Sequence, residues 1–277
     1  MHPLLHPQPS NETHPVSDFN PMSTSAGLSA FEQEVRRIAA APERFAHPRR
    51  PFNARGSFVE RCTGCRLPTQ SCICAYRTPV DAGVEFWVLM HIEEVNKPTN
   101  TARLIGDTLP STRVFPWQRT QPPQALLEAL QDPRYEPLII FPDDQADYQH
   151  RVTSWPQVEA KLEGRIPVFL LLDGTWRQAR KMFRQSAYLQ DLPVLPVHSE
   201  RTTRYQLRKP ASEQHLCTAE VGIALLEMAA QTEAAQVLEQ YFTVFNEGYG
   251  AARRQASADL NQAQAWLLAY QAQQAQA

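Results

Sequence analysis

PVFLLLDGTWRQARKMF, residues 167 to 183, decides the fold. Five apolar residues in a row suit a strand buried on both faces, and the period changes to that of a helix within three residues of Asp173. At 100° per residue, Arg177, Arg180, Lys181 and Arg184 fall on one stripe of that helix and Trp176, Ala179, Met182 and Phe183 on the other. A covered strand feeding an amphipathic helix is a unit of a parallel sheet.

The same texture spreads outward. Apolar runs VEFWVLMHI (84–92), TRVFP (112–116), PLIIFP (137–142) and LPVLPV (192–197) read as further strands. PPQALLEALQ (122–131) and VEAKLE (158–163) read as helices between them. The fold class is therefore α/β, a mostly parallel sheet covered by helices. In such sheets functional groups gather where loops leave the carboxyl ends of strands. TAEVGIALLEMAA (218–230) adds a core helix, with Val221, Ala224, Leu225 and Met228 predicted on its buried face.

Residues 1–28 are rich in Pro, Ser, His and Asn and predict a disordered arm. Residues 29–60 form a short helix, with Phe31, Val35 and Ile38 on one face, and a linker. Residues 61–80 hold a cysteine cluster, 81–235 the α/β domain, and 236–277 a Gln/Ala-rich helical extension.

The chain has 277 residues, 43% of them hydrophobic, and a net charge of −2, so any polyanion must be met by a local patch. No apolar run is long enough for a membrane span, and the first residues lack the apolar segment of a signal peptide. Four of five cysteines lie in one 13-residue window, which fits a reducing, cytoplasmic compartment and a metal site better than disulfides.

In RCTGCRLPTQSCIC (61–74), Cys62, Cys65, Cys72 and Cys74 have the spacing C-x2-C-x6-C-x-C. Four such thiolates can close a tetrahedron around Zn²⁺; an iron–sulfur cluster uses the same donors. Neither leaves an open coordination position. Arg61, Arg66 and Arg77 around the knuckle suggest phosphate contact, and Cys217 reads as an ordinary packed thiol.

In HIEEVNKPTNTARL (91–104), His91 and Glu94 lack the helical spacing of a zinc protease, since Pro98 and a loop intervene. Asn100 and Thr101 read either as a helix cap or as ligand-binding groups. DGT resembles the loop of phosphatases that use an Asp nucleophile, but that nucleophile would fall at Leu171. Asp173 is then a base, an acceptor or a helix cap.

From Asp173 to Lys209 there are eight Lys or Arg against three Asp or Glu, a local net charge of +5. SERTTRYQLRKP (199–210) extends the basic stripe of Arg177, Arg180, Lys181 and Arg184 with Arg204, Arg208 and Lys209, and Tyr205 stands among them. Positive side chains around an aromatic ring suit RNA with exposed bases better than duplex DNA. No P-loop or GxGxxG is present.

Together RCTGCRLPTQSCIC, HIEEVNKPTNTARL, LLLDGTW, TRYQLRKP and LCTAEV, spanning residues 61 to about 230, resemble the DTW-domain family of tRNA-uridine aminocarboxypropyltransferases. The departures are mild: Cys217 and Ala219 lie where the family usually writes LSTLEA, and Thr203 where Ser is common.

The resemblance implies kinship with the SPOUT class and its C-terminal knot. It also implies transfer of the 3-amino-3-carboxypropyl group of S-adenosylmethionine to N3 of a tRNA uridine; the cysteine spacing, independently, adds a structural Zn²⁺ as the preferred metal. It makes Asp173 the general base or the acceptor that orients the N3 proton. The donor falls among Asn100, Thr101, Leu171, Leu172, Thr175, Trp176, Thr218 and Glu220. Two rivals keep the same residues: a SPOUT-class RNA methyltransferase and a non-catalytic zinc-bearing RNA-binding protein.

Overall fold

A computed structural model describes residues 27–41, 59–198, 203, 205, 216–254 and 262–276. Five strands form one parallel sheet: β1 (Glu85–Met90), β2 (Arg113–Pro116), β3 (Tyr135–Ile140), β4 (Ile166–Asp173) and β5 (Val194–Leu195). They coincide with the five apolar runs. Their order is β2-β1-β4-β3-β5. The connection leaving β1 turns towards β2, and that leaving β4 passes over β3 towards β5. Neighbouring β1 and β4 thus diverge at their carboxyl ends, the crevice where open α/β sheets bind ligands.

Side chains alternate to two cores. Phe86, Val88, Met90, Phe169 and Leu171 face one, and Trp87, Leu89, Val168 and Leu170 the other. The first core is closed by helices α1 (Ala30–Ala40), α2 (Ala102–Thr108), α6 (Thr218–Met228) and α7 (Thr232–Arg254). The second is closed by α3 (Gln124–Gln131) and α5 (Trp176–Gln185). Each large apolar side chain fully withdrawn from water contributes about 1.5–3 kcal/mol before entropy is counted.

All seven residues of α2 are buried. It sits close to α1 because residue 106 is glycine: a Cβ there would stand 2.3 Å from the Phe31 ring. α1 begins at Ser29, whose Oγ accepts from the Glu32 amide, and it buries Phe31, Val35 and Ile38 as its periodicity predicts.

Three local expectations need correction. The helix predicted over 158–163 is α4 (Trp155–Glu159), which starts earlier because Ser154 and Gln157 make a capping box and Pro156 fits the first turn. α6 buries Ala219, Gly222, Ile223, Leu225 and Leu226, leaving Val221, Ala224 and Met228 half-buried. Its sequence is apolar almost all round, so periodicity alone does not fix the face. A boundary at 235 would cut the first turns of α7, which runs unbroken from Thr232 and buries Val237, Leu238, Tyr241, Phe242 and Phe245. The last helix, α8 (Gln262–Gln274), packs on α7 and the knuckle through Leu267 and Gln271. Among the described residues no helix is long and apolar enough to cross a membrane.

Candidate active site at the diverging ends of β1 and β4

Asp173 is the last residue of β4, opposite Met90 of β1, and only 3% exposed. Its carbonyl accepts from the His91 amide at 2.8 Å, which extends the ladder into the loop after β1. Its carboxylate is held from two other segments. Asn100 Nδ2 donates to Oδ2 at 2.5 Å, and Thr218 Oγ1 donates to Oδ1 at 2.7 Å. These partners stand 73 and 45 residues away in sequence. Both are neutral donors that orient the carboxyl group.

The holders are themselves fixed. The loop from His91 to Thr101 is a run of turns: Glu94 N to His91 O (2.8 Å), Lys97 N to Glu94 O (3.0 Å) and Asn100 N to Lys97 O (3.0 Å). Asn100 Oδ1 also accepts from Arg103 N, and Thr101 Oγ1 accepts from Ala219 N, binding the start of α2 to the start of α6. Glu220, 6% exposed, accepts from Cys217 N (2.8 Å) and from Thr203 Oγ1 (2.7 Å). Burial pushes the Cys217 thiol well above its ordinary pKa, so it stays protonated.

Asn100, Thr101, Leu171, Asp173, Thr218 and Glu220 are therefore drawn to one place, whereas the half-buried Leu172 side chain packs on the second core, across the sheet from them. Thr175 and Trp176 serve differently. Thr175 caps α5 by a capping box with Gln178, so the capping role open to Asp173 belongs to Thr175. Trp176 stacks on Phe141, just beyond β3, at 5.6 Å and 13°, with Arg180 over its ring.

The stripe of α5 stands out from the sheet: Arg177, Arg180, Lys181 and Arg184 are all exposed. Arg180 lies 3.7 Å from Asp144, and Arg184 reaches Gln145. The acidic partner comes from the loop after β3, which a count along α5 could not reveal. Tyr205 does not stand free to stack on a base: it is 8% exposed, donates to Thr99 O at 2.6 Å and lies against Phe242. Arg204, Arg208 and Lys209 lie outside the described residues.

Two residues outside the expected site, His91 and Trp117, follow the paired strand ends Met90 and Pro116 and stack at 5.6 Å. Lys181 lies over the same indole at 5.8 Å. Burial lowers the His91 pKa below the ordinary imidazole value, so its ring is neutral at pH 7. The signal available in sequence is that His91 directly follows the apolar residues of a strand.

In the knuckle all four sulfurs lie within 4.8 Å of one another: Cys62–Cys74 3.7 Å, Cys65–Cys72 3.8 Å and Cys62–Cys72 3.3 Å. Four sulfurs at about 2.3 Å from a tetrahedral Zn²⁺ would be about 3.8 Å apart, so the donor set fits. Alone, the thiols resist shared ionisation: hydrogen bonds from Cys72 and Cys74 favour the Cys65 thiolate, and hydrogen bonding to Cys65 pushes Cys72 up to about 12. A divalent cation removes that conflict. Arg66 and Arg77 are not free for phosphate, because they pair with Glu32 (2.7 Å) and Asp107 (3.1 Å). Arg61 donates to Arg66 O.

The fold and this site define a parallel α/β protein with an oriented carboxylate at its topological switch point and a four-cysteine knuckle at its flank. The DTW domain family model matches residues 59–250, and the chain belongs to that family. A mouse protein, tRNA-uridine aminocarboxypropyltransferase 2, is 21% identical over 238 residues, covering 84% of this chain and 74% of that protein. No solved structure matches the chain.

Proposed function

We propose that this protein transfers the 3-amino-3-carboxypropyl group of S-adenosylmethionine to N3 of a tRNA uridine, releasing methylthioadenosine. The observation that carries the reading is the Asp173 carboxylate, held by Asn100 and Thr218 where β1 and β4 diverge. The mouse relative's name supplies the reaction class.

The chemistry needs an acceptor and an alignment. An N3–C bond forms, the C–S bond breaks with its electron pair left on sulfur, and N3 loses a proton. Asp173 is the group for that proton, as base or as the acceptor that orients N3–H. Donor geometry decides which carbon reacts, since the methylene rather than the methyl must lie in line with sulfur and N3. Asn100, Thr101, Leu171, Thr218 and Glu220 flank that position, with Leu172 at the end of β4 and Thr175 and Trp176 at the start of α5 completing the donor site. Arg177, Arg180, Lys181 and Arg184 meet tRNA phosphates, joined by Arg204, Arg208 and Lys209.

The reading extends to Zn²⁺ in the knuckle, a cytoplasmic location and a SPOUT-like knot. Residues 199–215, between β5 and α6, lie outside the described residues apart from Thr203 and Tyr205. Incubating the protein with a tRNA transcript and S-adenosylmethionine, then digesting to nucleosides for mass spectrometry, tests the proposal. Uridine carrying the amino acid chain supports it; methylated uridine or unmodified tRNA overturns it.

A further inference from the structure

Arg66 lies inside the knuckle, yet its side chain leaves it. Its backbone is in the left-handed region, φ 61°, which glycine adopts with less strain and a long side chain adopts only when its surroundings impose it. The guanidinium enters a narrow space between α1 and the loop after β1. There Nε donates to Glu32 Oε1 at 2.7 Å and Nη1 donates to the carbonyl of Val95. Glu32 is 2% exposed at its side chain and Arg66 18%. The Glu32 end is also fixed, because Arg36 donates to the same oxygen at 2.8 Å and reaches Thr63 O in the knuckle.

Val95 is the middle of the loop that carries Asn100. From Val95 to Asn100 the chain runs through the turns at Lys97 and Asn100, with Lys97 paired to buried Glu94 at 2.6 Å. A shift of Val95 therefore passes to Asn100 and changes its 2.5 Å bond to Asp173. The knuckle grips α2 from its far end as well. Arg77 pairs with Asp107, which also accepts from Ser29 (2.8 Å) and Tyr241 (3.1 Å), and Val80 N donates to Thr108 O (2.9 Å). Both ends of the segment bearing Asn100 are thus tied to residues flanking the four cysteines.

We propose that Arg66 is a positioning residue for the Asp173 site: it ties the four-cysteine knuckle to the loop bearing Asn100 and so holds Asn100 against the carboxylate. Supporting contacts of this kind change activity by about tenfold to a hundredfold when removed, without touching the reacting atoms. The tie itself is independent of the chemistry at Asp173; only its effect on kcat rests on the transfer reaction proposed above.

The test uses the full-length, metal-loaded protein with Arg66→Gln, Arg66→Lys, Asn100→Ala and the double variant Arg66→Gln/Asn100→Ala. Three quantities are measured: metal bound per chain, amide hydrogen exchange over residues 94–101, and kcat. Arg66→Gln is expected to keep its metal, exchange faster over 94–101, and lose about tenfold or more in kcat. Arg66→Lys keeps the charge beside Glu32 but offers one ammonium to two acceptors, so its exchange is intermediate. In the Asn100→Ala background, Arg66→Gln is expected to change kcat little further, because both act through the same Asn100–Asp173 bond.

A full additional loss in that background, wild-type exchange in Arg66→Gln, or loss of metal from both Arg66 variants overturns the proposal. If the unaltered protein forms no aminocarboxypropyl product while exchange in the variants follows the expected order, the transfer reaction fails and the mechanical tie stands.

Discussion

The cysteine knuckle and the strand-end site both bury ionisable groups, Cys65 in one and Asp173 in the other, and they hold them in opposite ways. The knuckle surrounds one point with four sulfurs within 4.8 Å, a closed shell that suits a structural ion and leaves no position for a reactant. At the strand end one carboxyl group is held in orientation by an amide and a hydroxyl from two distant segments. The closed shell suits a structural role, whereas the oriented acid suits a reactive one. The two regions meet through α2 and its preceding loop.

Breaking the closed shell should cost the most stability. Cys65→Ser removes a buried thiol beside Leu67 and Ile73, both buried, and is expected to abolish metal binding by the knuckle and lower unfolding free energy by at least about 3 kcal/mol in denaturant titrations. Disturbing the open site should cost activity instead. Asn100→Ala and Thr218→Val are each expected to lower kcat by about tenfold to a hundredfold, with metal content unchanged.

Smaller effects sharpen the outer boundary of the site. Replacing Arg177, Lys181 and Arg184 together by Gln is expected to weaken tRNA binding, and to reduce the slope of log affinity against log salt by about 0.7–0.9 for each phosphate no longer neutralised. The smallest effect concerns His91. Burial holds its folded pKa below 6.5, so lowering the pH past that value protonates the unfolded chain first. Stability contributed by neutral His91 is complete above about pH 6.5 and lost as pH falls through the interval down to the folded pKa. Melting temperature should therefore decline as pH falls below about 6.5, and His91→Gln should flatten part of that decline.

Sequence carries what is local. The strands are readable because burial on both faces requires continuous apolar runs, and the knuckle because its four cysteines fall within 13 residues. Asp173 stands out for the same reason, at the end of such a run. Its support does not, since Asn100 and Thr218 reach it across the fold, and only their place in family motifs singles them out. Long-range pairing also reassigns charges: Arg66 and Arg77, which look ready for phosphate in the sequence, are taken up by Glu32 and Asp107, and Arg180 faces Asp144. Tyr205, set among arginines in the chain, is turned inward by its bond to Thr99 O. The face of α6 escapes periodicity because apolar residues surround it.

The most direct measurement compares Asp173→Ala with the unaltered protein for two readouts on one preparation: tRNA affinity, and aminocarboxypropyl uridine formed from S-adenosylmethionine. If Asp173 receives or orients the N3 proton, tRNA affinity stays within about twofold of the original while product formation falls by about a hundredfold to ten-thousandfold, the range for losing a positioned proton acceptor. Product formation at the original rate in Asp173→Ala would contradict that role.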